Sequence, residues 1–262
     1  MSRFWPVTLE ADGIVLRPFH RKDARAYAEI RRANTAWLRP WEATVPGSDQ
    51  GPPRFHEMRR MLADQGRRGH MLPFAVEVDG ELRGQLTVGP FQWGSMLNAT
   101  LGYWIDRRMA GRGITPTAVA LATDHCWFAL GVHRMEINIR PENTASLRVV
   151  EKLGFRDEGV RRNFMHIDGA WRDHRTFALT REDAPHGLLH GWLRELEHLR
   201  ALHAEEDGEV DGTAAAGLLG GEDPEHWPDD PGTWALDTEE TPDGVSGGIG
   251  GHGPESGPTR ES

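Results

Sequence analysis

The join between residues 105 and 116 constrains this chain more than any other stretch. A strand-like run, Asn98 to Ile105, gives way to Arg107-Arg108-Met109-Ala110-Gly111-Arg112-Gly113-Ile114, and a helix-like run begins near Pro116. Two glycines at the end of a strand allow bare backbone to approach a helix N-terminus, where N–H groups lack partners and the dipole is positive. That arrangement suits a pyrophosphate. Arg108, Met109, Ala110, Gly111, Arg112, Gly113 and Ile114 are therefore expected to form an anion site, with Arg108 and Arg112 adding charge at its rim. No Gly-Lys-Ser/Thr follows, which excludes a P-loop, and Thr115 or Pro116 stands where the dinucleotide fingerprint needs its third glycine.

A second informative stretch lies downstream. The alternating run His133–Arg140 leads into Pro141-Glu142-Asn143-Thr144-Ala145-Ser146, and then into Glu151-Lys152-Leu153-Gly154-Phe155. Asn143 is a good helix N-cap, and Ser146, one turn in, can face the cleft.

The remaining pattern supports an α/β fold with a mixed sheet flanked by helices. Strands are predicted at Ile14–Arg17, Pro73–Val78, Leu82–Val88, Asn98–Ile105, His133–Arg140, Phe155–Ile167 and Ala170–Thr180. Asp79-Gly80 and Asp168-Gly169 are the hairpin turns. Helices are predicted near Lys22–Arg32, Phe55–Gln65, Pro116–Leu130 and Ser146–Leu153. For the third, Thr115 is read as N-cap, Pro116 as first helical residue and Gly131 as stop. Leu188, Leu189, Trp192, Leu193, Leu196, Leu199 and Leu202 make an amphipathic stripe that packs on the domain or on a second copy, leaving a homodimer open. Residues 1–183 are thus expected to form the main domain, 184–205 a helical extension, and 206–262 a disordered acidic tail rich in glycine.

Charge divides along the same line. Residues 201–262 carry sixteen acidic side chains against one Arg, a net of −15, while residues 1–200 carry +5. The body can meet anionic ligands but is too weakly basic to argue for nucleic-acid binding. A single cysteine, Cys126, rules out an intrachain disulfide and suits a reducing compartment. It sits beside Trp127 and Phe128 and reads as a buried structural thiol. The opening Met1-Ser2-Arg3-Phe4-Trp5-Pro6 lacks a secretory h-region, and the longest uncharged helical run is too short for a bilayer. The expectation is a cytoplasmic protein with no membrane partner. His186 and His190 stand four apart with no third ligand, so no metal is expected.

Taken together, the motifs resemble the GCN5-related N-acetyltransferases over about residues 7–181. Arg108-Met109-Ala110-Gly111-Arg112-Gly113 is similar to that family's pyrophosphate loop, and Asn143-x-x-Ser146 with Glu151-Lys152-Leu153-Gly154-Phe155 to its second coenzyme A segment. Leu16-Arg17-Pro18, Trp37-Leu38-Arg39-Pro40-Trp41 and Asp168-Gly169-x-Trp171-x-Asp173 resemble the branch that acetylates N-termini of ribosomal proteins, the RimJ/RimL type. The resemblance implies acetyl-CoA as co-substrate, bound by the loop with Asn143 and Ser146. It implies a strand Asn98–Ile105 that hydrogen-bonds the acetyl-pantetheine arm, and a strand His133–Arg140 that splays away to admit it. Ser146 would protonate the departing thiolate, and Asn143 would position the thiol end or a nearby water.

The base is less clearly marked. A sister branch has Glu where Asn138 stands, and Asn can orient a water but cannot accept a proton. The same branch has Tyr where Val150 stands. A Glu reported as base in the nearer branch falls near Met165 or His166, so His166 is a candidate, with Glu136 another. A weak base matters less for an α-amine, with pKa about 7.7–8.0, than for a lysine near 10.4. The acceptor is therefore expected to be a protein N-terminus, of a ribosomal protein in the first instance. A small amine (an antibiotic or polyamine) and a non-catalytic acyl-CoA-binding domain are the alternatives. Trp37 and Trp41 either wall the acceptor pocket or cap the core.

Overall fold

The computed structural model describes residues 4–47 and 53–211. Its elements are β1 Leu9–Ala11, β2 Ile14–Arg17, α1 Ala24–Ala33, α2 Thr35–Leu38, α3 Phe55–Arg67, β3 Leu72–Val78, β4 Glu81–Gln92 and β5 Asn98–Ile105. There follow α4 Ile114–Leu130, β6 Arg134–Ile139, α5 Thr144–Lys152, β7 Arg156–Ile167, β8 Ala170–Thr180 and α6 Leu189–Asp211. The expected order is present, with β1 and α2 added. Both are too short to leave a periodic signature in sequence.

The strands form one sheet in the order β1-β2-β3-β4-β5-β6-β8-β7. Every pairing is antiparallel except β5 with β6. Alternation assigns each strand's residues to two faces. Leu101 on β5, Met135, Ile137 and Ile139 on β6, and Phe177 and Leu179 on β8 share the main core with Val119 and Trp127 of α4 and Val150 of α5. The opposite face carries a smaller core in which Phe19, Ile30 and Met58 pack with Tyr27 and Trp104.

Helix α4 begins at Ile114, ahead of the expected Pro116. Gly113 adopts φ +78° and is itself the N-cap, so Thr115 lies inside the first turn. Gly131, at φ +73°, ends the helix as expected. The helix is apolar on nearly every side because the sheet covers one flank and α6 covers another. Along α6, the Leu188 and Leu189 N–H groups donate to the Asp124 carboxylate at 2.7 and 3.1 Å. Trp192 Nε1 donates to Thr117 Oγ1 at 2.7 Å. Trp192 and Leu196 are buried in the main core, so the stripe packs on its own domain. The helix continues to Asp211, beyond the boundary at 205 read from sequence, and the rest of the acidic segment, 212–262, lies outside the described residues.

Candidate active site

Strands β5 and β6 run parallel only from Asn98–Leu101 against Arg134–Ile137. Beyond that point β5 continues to Ile105 and β6 to Ile139 without pairing to each other. A parallel strand pair that opens in this way leaves a wedge in the sheet, and the backbone groups of Gly102–Ile105 that face β6 have no strand partner. Both strands end at the mouth of this wedge, where open sheets place their ligand sites.

The turn after β5 is held from within. Asp106 is buried, and its carboxylate accepts from the Arg108 N–H at 3.3 Å, from Arg108 Nη2 at 2.6 Å and from Asn34 Nδ2 at 3.1 Å. Burial pushes the Asp106 carboxyl up, but these hydrogen bonds outweigh it and hold its pKa below the usual carboxylate range. Asn34, itself buried, also accepts from the Arg107 N–H at 2.8 Å and so fastens the turn to the end of α1. Arg108, expected to lend charge to the rim, has that charge matched by Asp106. Met109 and Ile114 are buried in the core, so those two positions offer backbone alone to a ligand. Ala110 and Arg112 are exposed.

The two glycines answer different demands. Gly111 has φ +82° with open space where a Cβ would stand, which suits a ligand approaching the backbone. Gly113 also has a positive φ, but a Cβ there would lie 2.6 Å from Leu196 Cδ1. Its lack of a side chain therefore seats α6, a packing reason that differs from the expected phosphate contact. The first helical bond of α4 runs from the Thr117 N–H to the Gly113 carbonyl at 3.1 Å. The N–H groups of Ile114 and Thr115 precede it and have no helical acceptor, while Pro116 has none to offer. The turn read from sequence as an anion site thus offers backbone N–H groups without helical acceptors.

After β6, Asn143 caps α5 through Oδ1, which accepts the Ser146 N–H at 3.1 Å. This fixes Ser146 in the first turn. Tyr103, on the β5 face toward α4 and α5, has a buried hydroxyl with no hydrogen bond and Ser146 as its polar neighbour. Burial pushes its phenol far up, so it stays protonated. No pattern in the sequence singled out Tyr103, because its importance depends on α5 crossing this face.

The other side of the wedge is hollow. A Cβ built on Gly102 meets nothing within 4 Å. Asn138 shares this face with its partner Thr176, whose Oγ1 donates to Asn138 Oδ1 at 2.8 Å. Glu136 is committed: Arg134 Nε bonds its Oε1 at 2.8 Å, and Arg161 Nη2 approaches Oε2 at 3.5 Å. The segment after α1 bridges the mouth. Arg107, just past β5, lies over Trp37 at 5.8 Å, and Arg140, just past β6, lies over Trp41 at 5.3 Å. Arg140 also donates to the Pro40 carbonyl at 2.7 Å. The same segment then reaches the β7–β8 turn, where Ala43 bridges Ile167 and the Thr44 N–H donates to the His166 carbonyl at 2.9 Å.

His166 belongs to that turn and not to the wedge. It pairs with Trp171, while Asn138 pairs with Thr176 further along β8, a separation of roughly 17 Å along the strand. Its Nδ1 lies 2.7 Å from Thr44 Oγ1 on an exposed edge. The structure therefore brings Asn138, Asn143 and Ser146 to one opening and leaves His166 outside it. Cys126 is fully buried, and burial pushes its thiol up, as expected for a structural cysteine. Among the described residues there is no metal-ligating cluster, and no helix is long and apolar enough to cross a membrane.

Comparison with known proteins agrees with this geometry. Residues 14–156 match the model of the acetyltransferase (GNAT) domain. The chain is 36% identical over 182 residues to the probable N-acetyltransferase YjcK of Bacillus subtilis, covering 67% of this chain and 98% of that protein. It is 30% identical over 179 residues to the ribosomal protein uS5-alanine N-acetyltransferase of Escherichia coli, covering 68% and 92%. Among solved structures, Mycobacterium smegmatis RimJ in complex with CoA-disulfide superposes with a TM-score of 0.69 at 38% identity, covering 74% of this chain and 97% of that one.

Proposed function

Since the chain belongs to the acetyltransferase (GNAT) family, and is thereby an acetyl-CoA-dependent N-acyltransferase, we propose that it acetylates the N-terminal amine of a protein, a ribosomal protein first among them. One observation carries the reading: the wedge between β5 and β6 has Ser146 on one side and open space above Gly102 on the other. Donor and acceptor can thus enter from opposite faces of the sheet and meet at its opening.

The residues present fit the donor. The free N–H groups of Gly111–Thr115 would hold its pyrophosphate, and the unpaired edge of Gly102–Ile105 would hydrogen-bond its arm. Acetyl-CoA supplies an acyl group activated as a thioester. A β5 N–H stabilises the oxyanion that develops on the carbonyl. Ser146 gives its hydroxyl proton to the departing thiolate, and Asn143 keeps Ser146 in place by capping α5.

The acceptor side favours an N-terminus over a polyamine. Around the Trp37–Trp41 segment Arg31, Arg39 and Arg140 are paired with Glu42, Asp168 and Glu142, Arg107 lies over Trp37, and Glu136 is held by two arginines. A polycation would have to draw one of these carboxylates away from its arginine to be held there. An α-amine near pKa 7.7–8.0 brings about a fifth to a third of its molecules neutral at pH 7.4, which suits a site without a carboxylate base. The test is a panel of peptides and small amines incubated with acetyl-CoA. Acetylated peptide N-termini, seen as a mass shift, are expected. Transfer to small amines with none to any N-terminus would overturn the proposed acceptor.

A further inference from the structure

One buried titratable group on the acceptor face has no part in the chemistry described so far. His174 lies on β8, two residues from Thr176 and on the same face, roughly 7 Å along the strand. It is 4% exposed. Because Ile139 pairs with Arg175, His174 stands beside Arg140, where β6 has already left β5. Its Nδ1 is 3.1 Å from the Arg172 carbonyl oxygen. A carbonyl can only accept, so Nδ1 carries the proton and Nε2 keeps the lone pair that a base requires. Phe164 meets the ring edge to face at 5.8 Å and restricts it.

The charged groups around it are Arg140 and Glu142 from the turn after β6, Asp173 on its own strand, and its strand partner Arg161 on β7. Burial lowers the His174 pKa, with Arg140 assisting and the Arg172 carbonyl, Glu142 and Asp173 opposing, so the imidazole is neutral at pH 7. The other candidates on this side are placed less well. Glu136 is locked between two arginines, and His166 is at the far turn.

We propose that His174 is the general base of acetyl transfer, accepting the proton of the attacking amine through one water held by Asn138. The inference rests on the amine acetylation proposed above. Thr176 donates to Asn138 Oδ1, which leaves the Asn138 amide hydrogens to orient a water. The gap of roughly 7 Å between Thr176 and His174 suits one water bridging to Nε2. As nitrogen bonds to the thioester carbonyl carbon, its surplus proton passes to the water, and a water proton passes to Nε2. The carbon–sulfur bond then breaks, its electron pair leaves with sulfur, and Ser146 supplies the thiol proton. Imidazolium and the Ser146 alkoxide are reset by proton exchange with solvent.

The experiment measures thiol release from acetyl-CoA with peptides bearing N-terminal Ala, between pH 5 and 9. It compares wild type with His174→Asn and His174→Gln. Asn keeps an N–H for the Arg172 carbonyl but cannot take a proton. Acetyl-CoA affinity should stay within about twofold, while kcat/KM near pH 7 falls about 10²–10⁴-fold. The acid limb of wild-type kcat, lying below the ordinary histidine value, should disappear in both variants. A folded variant within threefold of wild type, or one that keeps the acid limb, overturns the role of His174. If neither variant folds, the wild-type profile decides: a flat kcat from pH 5 to 7 also overturns it. Wild type that acetylates no amine removes the acceptor reading and this base together, whereas an active wild type with unaltered variants removes only the base.

Discussion

Ser146 and Gly113 show how differently two residues of one site can be constrained. Ser146 is held in the first turn of α5 by the Asn143 cap and lies beside the buried Tyr103 hydroxyl, and the role proposed for it is to protonate the leaving sulfur. Ser146→Ala should lower kcat roughly tenfold or more while leaving acetyl-CoA affinity nearly unchanged. Equal losses in both, measured by steady-state kinetics and calorimetry, would reduce Ser146 to a binding contact. Gly113 is bound to its conformation and to Leu196 together. Gly113→Ala should cost about 1–3 kcal/mol in urea unfolding, and more than Gly111→Ala, which adds a Cβ only to open space. Equal costs for the two would mean that Leu196 does not press on Gly113. Neither distinction is visible in a Gly-x-Gly motif, because it depends on a helix that follows more than seventy residues later.

At the scale of elements, α6 is the part whose place the chain order conceals. It docks along α4 at three successive points: Asp124 on its first N–H groups, Thr117 on Trp192, and Gly113 under Leu196. Asp124 is the acceptor that its N-terminus would otherwise lack, and burial pushes its carboxyl up despite the two N–H donors. Asp124→Ala should cost about 1–2 kcal/mol and speed amide exchange in the first turn of α6. Unchanged exchange at Leu188 and Leu189 would show that Trp192 and Leu196 hold the helix alone. Most strands and helices were legible, since β3 to β8 and α3 to α5 carry clear periods and turn residues. Their pairing was not. That Asn138, Thr176 and His174 share a face while His166 lies at the tip follows from the β6–β8 register, and no local pattern states a register.

For the whole molecule, the charged network predicts how stability depends on pH. Asp23 is held low by Arg17 despite its burial, and Asp106 by Arg108 and Asn34. Asp183 is lowered to about 2 by Thr180 and Arg156. A carboxyl whose pKa is lower folded than unfolded gives stability above pH 4 that vanishes as pH falls through its folded value. His125 and His174 are both lowered by burial, so protons bind the unfolded chain first as pH drops below about 6.5. Thermal unfolding should therefore show a shallow loss of Tm from pH 7 to 5 and a steeper one from pH 4 towards 2. A Tm that rises as pH falls from 7 to 5 would contradict the neutral, buried state of the two histidines.

The sequence by itself determined the α/β class, the glycine turn before α4 and the Asn143–Ser146 turn before α5. These depend on neighbours within a few residues, where backbone sterics, capping and alternation act directly. Only the tertiary structure decided where β5 and β6 separate, which arginines neutralise Glu136, why a side chain at Gly113 would press on Leu196, and which histidine shares the face of Asn138 and Thr176. Each of those depends on strand register and helix docking between segments far apart in the chain. Packing and long-range hydrogen bonding, which no local stretch encodes, select among the placements that local propensity allows.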